Sequence, residues 1–296
     1  MQEGRPSATA ITAAMVRAAH LIADDDPKVF SDPLALRLSG VEDEAALQAT
    51  LNAMLEAIAR QSSAAFAHTL SSCNRAYTVM RSRYTEDALG DALARGITQY
   101  VILGAGLDSF AYRQPPQAEG LHIFEVDHPA TQTWKRARLR ELQLDSPSNL
   151  TFVPVDFERQ TLAEELQASG HRSAAPTFVS WLGVTMYLTE AAIFETLRYV
   201  AAFAPGSEIV FQYVLSDSLL NQESRSLIAM LKAATAARGE PFVSAFDPTA
   251  LTAQVKALGF RQVWDFGPEE ANARYFAGRT DGLRILPMFN LMRARV

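Results

Sequence analysis

The stretch from Val101 to Arg113, VILGAGLDSFAYR, decides the fold. The apolar run Tyr100 to Leu103 breaks into Gly104-Ala105-Gly106, which is how a short buried strand ends in a turn built to meet a ligand. Gly104 permits a tight turn and Gly106 permits close approach of the backbone to a nucleotide-type group. In a dinucleotide fingerprint a third small residue would stand at 109, and Ser109 stands there instead, which disfavours a pyrophosphate.

Outward from this turn the same grammar repeats. Short apolar runs at His122 to Val126, Phe152 to Val155, Thr177 to Leu182 and Ile209 to Val214 are each separated by enough chain for a helix. That alternation predicts an α/β doubly wound sheet, mostly parallel. Two later runs, Arg261 to Phe266 and Phe289 to Val296, have no long helix between them and are expected to add an edge pair, for seven strands. Upstream, Ser7 to Arg95 is rich in alanine and leucine, with apolar spacings of three and four at Leu47, Leu51, Met54, Leu55 and Ile58, and carries no strand signal. Helix breaks are expected at Asp26-Pro27 and Asp32-Pro33. With no internal repeat and no Gly/Pro/Ser-rich linker, residues 1–296 read as one domain. Residues 1–96 form an N-terminal helical cap and 97–296 the sheet core, with a lid insertion at about 216–246. Residues 216–237 read as one long amphipathic helix stopped by Gly239-Glu240-Pro241. The insertion could equally be an oligomer contact.

Bulk properties exclude several functions. Hydrophobic residues make up 48% and charged residues 20% of the 296, the balance of a folded chain rather than a disordered one. A net charge of -6 argues against a nucleic-acid face. Cys73 is the sole cysteine, so no intrachain disulfide is available, and it reads as a small helix residue. No run of 18 apolar residues exists to span a membrane. Arg17 and His20 interrupt the N-terminal apolar stretch and no cleavage pattern follows, so a cytoplasmic location is expected. The histidines and acids show no metal-ligand spacing.

The candidate binding residues stand at strand ends, where open parallel sheets hold ligands. Asp127 closes the second strand about 20 residues beyond the glycines, the place of a carboxylate that accepts both hydroxyls of a ribose. Glu125, two residues earlier on the same strand face, is its rival. Asp156-Phe157 closes the third strand and suits an adenine amino group and ring. Each acid alone has a competing account as a helix N-cap.

These turns belong to a longer series: Thr9-Ala10, Val16-Arg17-Ala18, Asp32-Pro33-Leu34-Ala35, Arg81-Ser82-Arg83-Tyr84, the glycine loop, FEVDHP at 124–129, PVDF at 154–157 and GVTMYLT at 183–189. In this order the motifs resemble the leucine carboxyl methyltransferase family over most of the chain. The resemblance implies a class I methyltransferase (Rossmann-like) fold with an N-terminal helical cap, S-adenosyl-L-methionine as cofactor and S-adenosyl-L-homocysteine as product. It implies methyl transfer to a carboxylate or hydroxyl oxygen of a small, polyketide-like acceptor. By position, Arg81 holds the cofactor carboxylate, and Gly104, Ala105 and Gly106 flank the methionine end. Asp127 takes the ribose, and Asp156 with Phe157 the adenine. Arg17 lies in a motif similar to one that approaches the substrate, its competing account being an exposed helix arginine. Leu182 stands where many relatives carry glutamate, which leaves the cofactor amino group to backbone carbonyls nearby. His20, Tyr84, His128 and Tyr187 are the candidate catalytic groups, and for His128 a solvent-facing first helical turn is the expected placement. Two alternatives remain at this point: a binding protein that keeps the cofactor without transferring methyl, and an NAD-dependent oxidoreductase on a similar fold.

Overall fold

The computed structural model describes residues 7–156 and 159–296. Seven strands form one sheet in the order β3-β2-β1-β4-β5-β7-β6. They are β1 Gln99–Leu103, β2 His122–Asp127, β3 Leu150–Pro154, β4 Thr177–Trp181, β5 Glu208–Val214, β6 Gln262–Phe266 and β7 Phe289–Arg295. The first five pair in parallel, and β7 runs antiparallel between β5 and β6. The two late runs thus close one side of the sheet as an antiparallel pair. Strands β1, β4 and β5 are buried along their whole length, because helices cover both faces. The strand order reverses between β1 and β4, so the carboxyl ends of these neighbours splay apart and open a crevice.

Helices α5 (Pro129–Glu141), α6 (Leu162–Ala168), α7 (Glu190–Ala201) and α9 (Pro248–Ala257) lie along the core sequence, and a short α10 (Pro268–Ala271) precedes β7. The cap consists of α1 (Ala8–Ala23), α2 (Ala35–Ser39), α3 (Glu44–Gln61) and the first half of α4 (Ala64–Ala94). It has a small core of its own, in which Met15, Ala18, Ala19, Ala35 and Leu47 bring helices close on short side chains. At 31 residues α4 is about 46 Å long. Its second half packs on β4 and β5, so one rigid element joins cap and sheet.

Residues 216–237 differ from the expected single helix. A short 3-10 turn at Asp217–Leu219 precedes α8 (Gln222–Ala236), and Asn221 starts α8 by accepting from Ser224 N at 2.8 Å. The chain then returns over the sheet. Val243 N donates to the Met186 carbonyl at 2.8 Å and Ser244 Oγ to that of Thr185 at 3.0 Å. Among the described residues no helix is long and apolar enough to cross a membrane.

Candidate active site

A cavity of about 1580 Å³ opens over the carboxyl ends of β1, β2 and β4, with walls from the cap and from 238–242. The glycine loop forms its floor. Gly104 sits at φ +66°, and a Cβ there would come within 2.4 Å of Val184 Cγ2, so a side chain is excluded by conformation and by space. Gly104 N and Ala105 N both donate to the Val126 carbonyl, at 2.9 and 3.0 Å, which pins the turn to β2.

Asp127 lies at the end of β2, on the cavity wall. Its Oδ2 accepts from Gly106 N at 2.5 Å and its Oδ1 from His128 N at 2.6 Å. Burial raises its pKa, and those two amides oppose the rise. Each oxygen keeps a lone pair for a ligand. The rival Glu125 is spent elsewhere: its Oε2 pairs with Lys135 Nζ at 2.5 Å, both side chains only 1% exposed. The Lys135 ammonium also donates to the Asp108 carbonyl at 2.7 Å, so this buried pair braces the glycine loop from behind.

Arg81 and Leu182 line the cavity at the β4 end. The Arg81 guanidinium lies on the backbone of Gly183, where a Cβ would meet Nη1 at 2.7 Å. Nη1 donates to Gln212 Oε1 at 2.9 Å, and among the described residues no carboxylate pairs with this guanidinium. Burial and the nearby charge of Arg17 pull its pKa down to about 10, so it stays cationic at neutral pH. A charge held this way, with a neutral partner, can accept an anion. Gln212 was not singled out from the sequence. Its signal was a lone amide inside the buried run IVFQYV.

Asp156 also lines the cavity, with Arg159 Nε 3.6 Å from its Oδ2. Phe157, expected beside the adenine, falls outside the described residues.

Arg17 is not an exposed helix arginine. It is 8% exposed, its Nε donates to Asp32 Oδ2 at 2.8 Å, and its Nη2 donates to the Leu107 carbonyl at 2.6 Å. It therefore ties α1 to the glycine loop while lining the cavity. Asp32 is shared with Arg113, whose Nε lies 3.7 Å away and whose Nη2 reaches Glu86 at 2.5 Å. Burial opposes ionisation of Asp32, but the two arginine charges outweigh it and hold its pKa below the ordinary range. This clamp joins two sequence motifs whose connection no spacing revealed.

The four catalytic candidates separate. His20 is fully buried away from the cavity, its Nδ1 2.8 Å from Asp24 Oδ2 and its Nε2 accepting from Val29 N at 3.1 Å. Both ring nitrogens are committed to holding the chain after α1. Tyr84 stacks on Phe266 with ring centroids 4.2 Å apart and is likewise absent from the cavity wall. His128 does face the cavity, contrary to the expected solvent placement, because it is the N-cap of α5 with Pro129 at the first helical position. Its Nδ1 accepts from Ala130 N at 3.2 Å, which uses that lone pair and sets the proton on Nε2. Tyr187 lines the cavity, and burial, reinforced by the charge of Glu240, pushes its pKa up to about 12. It is a neutral hydroxyl at physiological pH. Glu240 accepts from Ser7 Oγ at 3.2 Å through Oε1, while its buried Oε2 has no partner among the described residues.

The chain is similar to known proteins over most of its length. The family model described as leucine carboxyl methyltransferase matches residues 10–201. The Bacillus subtilis protein YktD, provisionally named an S-adenosyl-L-methionine-dependent methyltransferase, is 34% identical over 217 residues, 72% of this chain and 70% of that protein. A similarly named protein of Mycobacteroides abscessus is 41% identical over 155 residues, 51% of this chain and about half (47%) of its own length. Among solved structures, a Thermobifida fusca protein provisionally described as a methyltransferase superposes over 99% of this chain and 96% of its own. The TM-score is 0.57 at 16% identity. A DUF574 family protein from Streptomyces avermitilis gives a TM-score of 0.56 at 15% identity, covering 96% of each chain.

Proposed function

The chain belongs to the leucine carboxyl methyltransferase family and is an S-adenosyl-L-methionine-dependent methyltransferase, and from that premise we propose that it methylates an oxygen of a small metabolite, a carboxylate in the first instance. When bound, the cofactor supplies an electrophilic methyl carbon on a sulfonium. The residues present fit it. Arg81, with a neutral partner and an open face, holds the cofactor carboxylate; the Gly104–Gly106 backbone passes beside the methionine. Asp127 accepts the ribose hydroxyls, its orientation fixed by two amides. Asp156 would take the adenine, with Phe157 its expected companion outside the described residues, and backbone carbonyls near Leu182 would take the amino group that a glutamate would otherwise meet. Arg17 acts on the acceptor by holding α1 over the loop.

One observation carries the choice of a carboxylate. His128 is the one histidine among the described cavity residues, and its Nδ1 lone pair is already used in capping α5. The tyrosines lining the cavity are held neutral: Tyr187 by burial and Glu240, Tyr77 chiefly by burial, well above its ordinary value, and Tyr199 by burial. A carboxylate is nucleophilic at pH 7 without a base, whereas an alcohol or phenol needs one. The hydroxyl reading has its own support in Glu240, whose unpartnered Oε2 could take a proton from an acceptor. The apolar lining contributed by Met230, Leu231 and Phe242 suits a reduced, polyketide-like body.

The test is the alkali lability of transferred label. Protein incubated with methyl-labelled cofactor and a pool of aliphatic and aromatic acids and phenols should give product that mild base hydrolyses to labelled methanol. Base-stable label would mean an ether and would transfer the reading to the hydroxyl. Bound cofactor with no transfer to any member would favour a binding protein.

A further inference from the structure

Resting on the carboxylate reading, we propose that the acceptor is a carboxylic acid with a long unbranched aliphatic tail, and that the tail lies along the first half of α4 beneath α3. Fatty acids and fully reduced polyketide chains share this chemistry.

The cavity follows one face of α4. Leu70, Asn74, Tyr77, Thr78 and Arg81 all line it, at the spacing of three and four that keeps residues on one side of a helix. From Leu70 to Arg81 the rise is about 16 Å. The cavity is therefore elongated, with its cofactor end at Arg81 and the strand termini. Its 1580 Å³ exceeds the roughly 300–1,000 Å³ that encloses one drug-sized ligand, which leaves room beyond the cofactor.

The α3 wall of the far end is apolar, facing Ser71, Asn74 and Arg75 on α4. Leu51, Met54, Leu55 and Ile58 fall at i, i+3, i+4 and i+7 of α3 and all line the cavity, whereas Leu47 is the one α3 residue buried in the cap. Met54 is 39% exposed. This helix thus turns its apolar stripe toward open space continuous with the cofactor site, with Leu51 also resting on the cap core and Ile58 on the sheet core. From the lid, Met230 and Leu231 face the same volume. Arg75, the cation at this end, is engaged by Asp24 through Nε and Nη2 at 2.9–3.0 Å and does not offer a second anion site. A thin flexible tail follows such a passage, and a polar or bulky body would leave the stripe unsatisfied.

The experiment uses the full chain with hexanoate, dodecanoate and dodecan-1-ol, each below its micelle concentration. Binding is read by calorimetry with S-adenosyl-L-homocysteine present, and transfer by base-labile methyl ester formed from labelled cofactor. Each methylene entering the passage should raise affinity about two- to fourfold, so dodecanoate should exceed hexanoate by at least ~60-fold in kcat/KM. Leu55→Lys should cut that ratio to below ~5-fold while S-adenosyl-L-homocysteine affinity, measured separately, reports that the protein is folded. If dodecanoate binds far more tightly than hexanoate and dodecan-1-ol binds as tightly as dodecanoate but no ester forms, the tail passage stands and the carboxylate reading falls. If ester forms equally well from both acids, or binding ignores chain length, the tail passage is refuted whatever the oxygen.

Discussion

Arg81→Met isolates the anion receptor from the rest of the site. In the free protein the guanidinium lies half-buried against Gly183 with Gln212 as its hydrogen-bond partner and no carboxylate pair among the described residues, so replacing it with an apolar chain of similar length removes a partly desolvated charge. The opposing cost is Gln212 Oε1, left without its donor. That residue lines the cavity, so water can replace the lost bond. The two effects should leave unfolding free energy within about 1 kcal/mol of the parent. Ligand binding should respond otherwise. Hydrogen bonds to a charged group contribute about 1.5–3 kcal/mol, which is a roughly 10- to 150-fold loss of affinity for S-adenosyl-L-homocysteine. The control is 5′-methylthioadenosine, which has the same adenosine and sulfur but no carboxylate, and its affinity should not change. Calorimetric titration of both ligands into parent and variant, with urea unfolding alongside, reads all three quantities. Unchanged affinity for S-adenosyl-L-homocysteine would refute the assignment of Arg81; an equal loss for both ligands would mean that the pocket had been reshaped.

Asp127→Ala should largely abolish cofactor binding, by at least about a hundredfold, because it removes the ribose acceptor and orphans the Gly106 and His128 amides; near-normal titration would return the role to another acid. Gly104→Ala should lower stability by about 2–5 kcal/mol, the sum of a left-handed side chain and forced displacement of Val184, and adding Val184→Ala should recover the steric part alone in a denaturant titration. His171 is buried between Phe124 and Phe203, and burial pulls its pKa from 6.5 down to about 4. The unfolded chain therefore binds this proton more readily, so the stability His171 contributes is complete above pH 6.5 and is lost as pH falls toward 4. In urea melts at stepped pH, His171→Gln should show a shallower acid decline, and an identical slope would remove His171 as a cause.

Most of the sheet could be read from the sequence because fully buried parallel strands are apolar throughout and the turns between them carry glycine or acid. The helical lid was harder. Leu220 continues the apolar periodicity across a break that only the capping bond from Asn221 creates, so spacing alone ran two elements together. At the site, period two put Glu125 and Asp127 on one strand face and could not choose between them. What separates their surroundings is Lys135, a residue of the following helix that pairs with Glu125 and leaves Asp127 at the cavity wall. For His128 the cause is related: Pro129 marks the first helical position, which makes its predecessor a half-buried cap beside the cavity instead of a first-turn residue facing solvent.

The two α4 tyrosines show where periodicity stops being informative. Tyr77 and Tyr84 are seven residues apart, almost two turns, and so project from nearly the same side of one helix. Because α4 leaves the cavity and enters the sheet between them, that side changes surroundings along its length. At Tyr77 it borders the cavity, with the phenol donating to the Leu286 carbonyl. At Tyr84 it meets Phe266 of β6 in a closed core. Arg81 stands near the crossing, where the helix is held by sheet packing yet still reaches the open volume. A motif that includes both Arg81 and Tyr84 therefore joins a ligand-facing group to a packing group, and sequence proximity within it says nothing about which is which. The same geometry explains why one helix can set both the position of the anion receptor and the length of the space beyond it: a shift of α4 along its axis would move Arg81 relative to the glycine loop and Leu70 relative to α3 by the same amount.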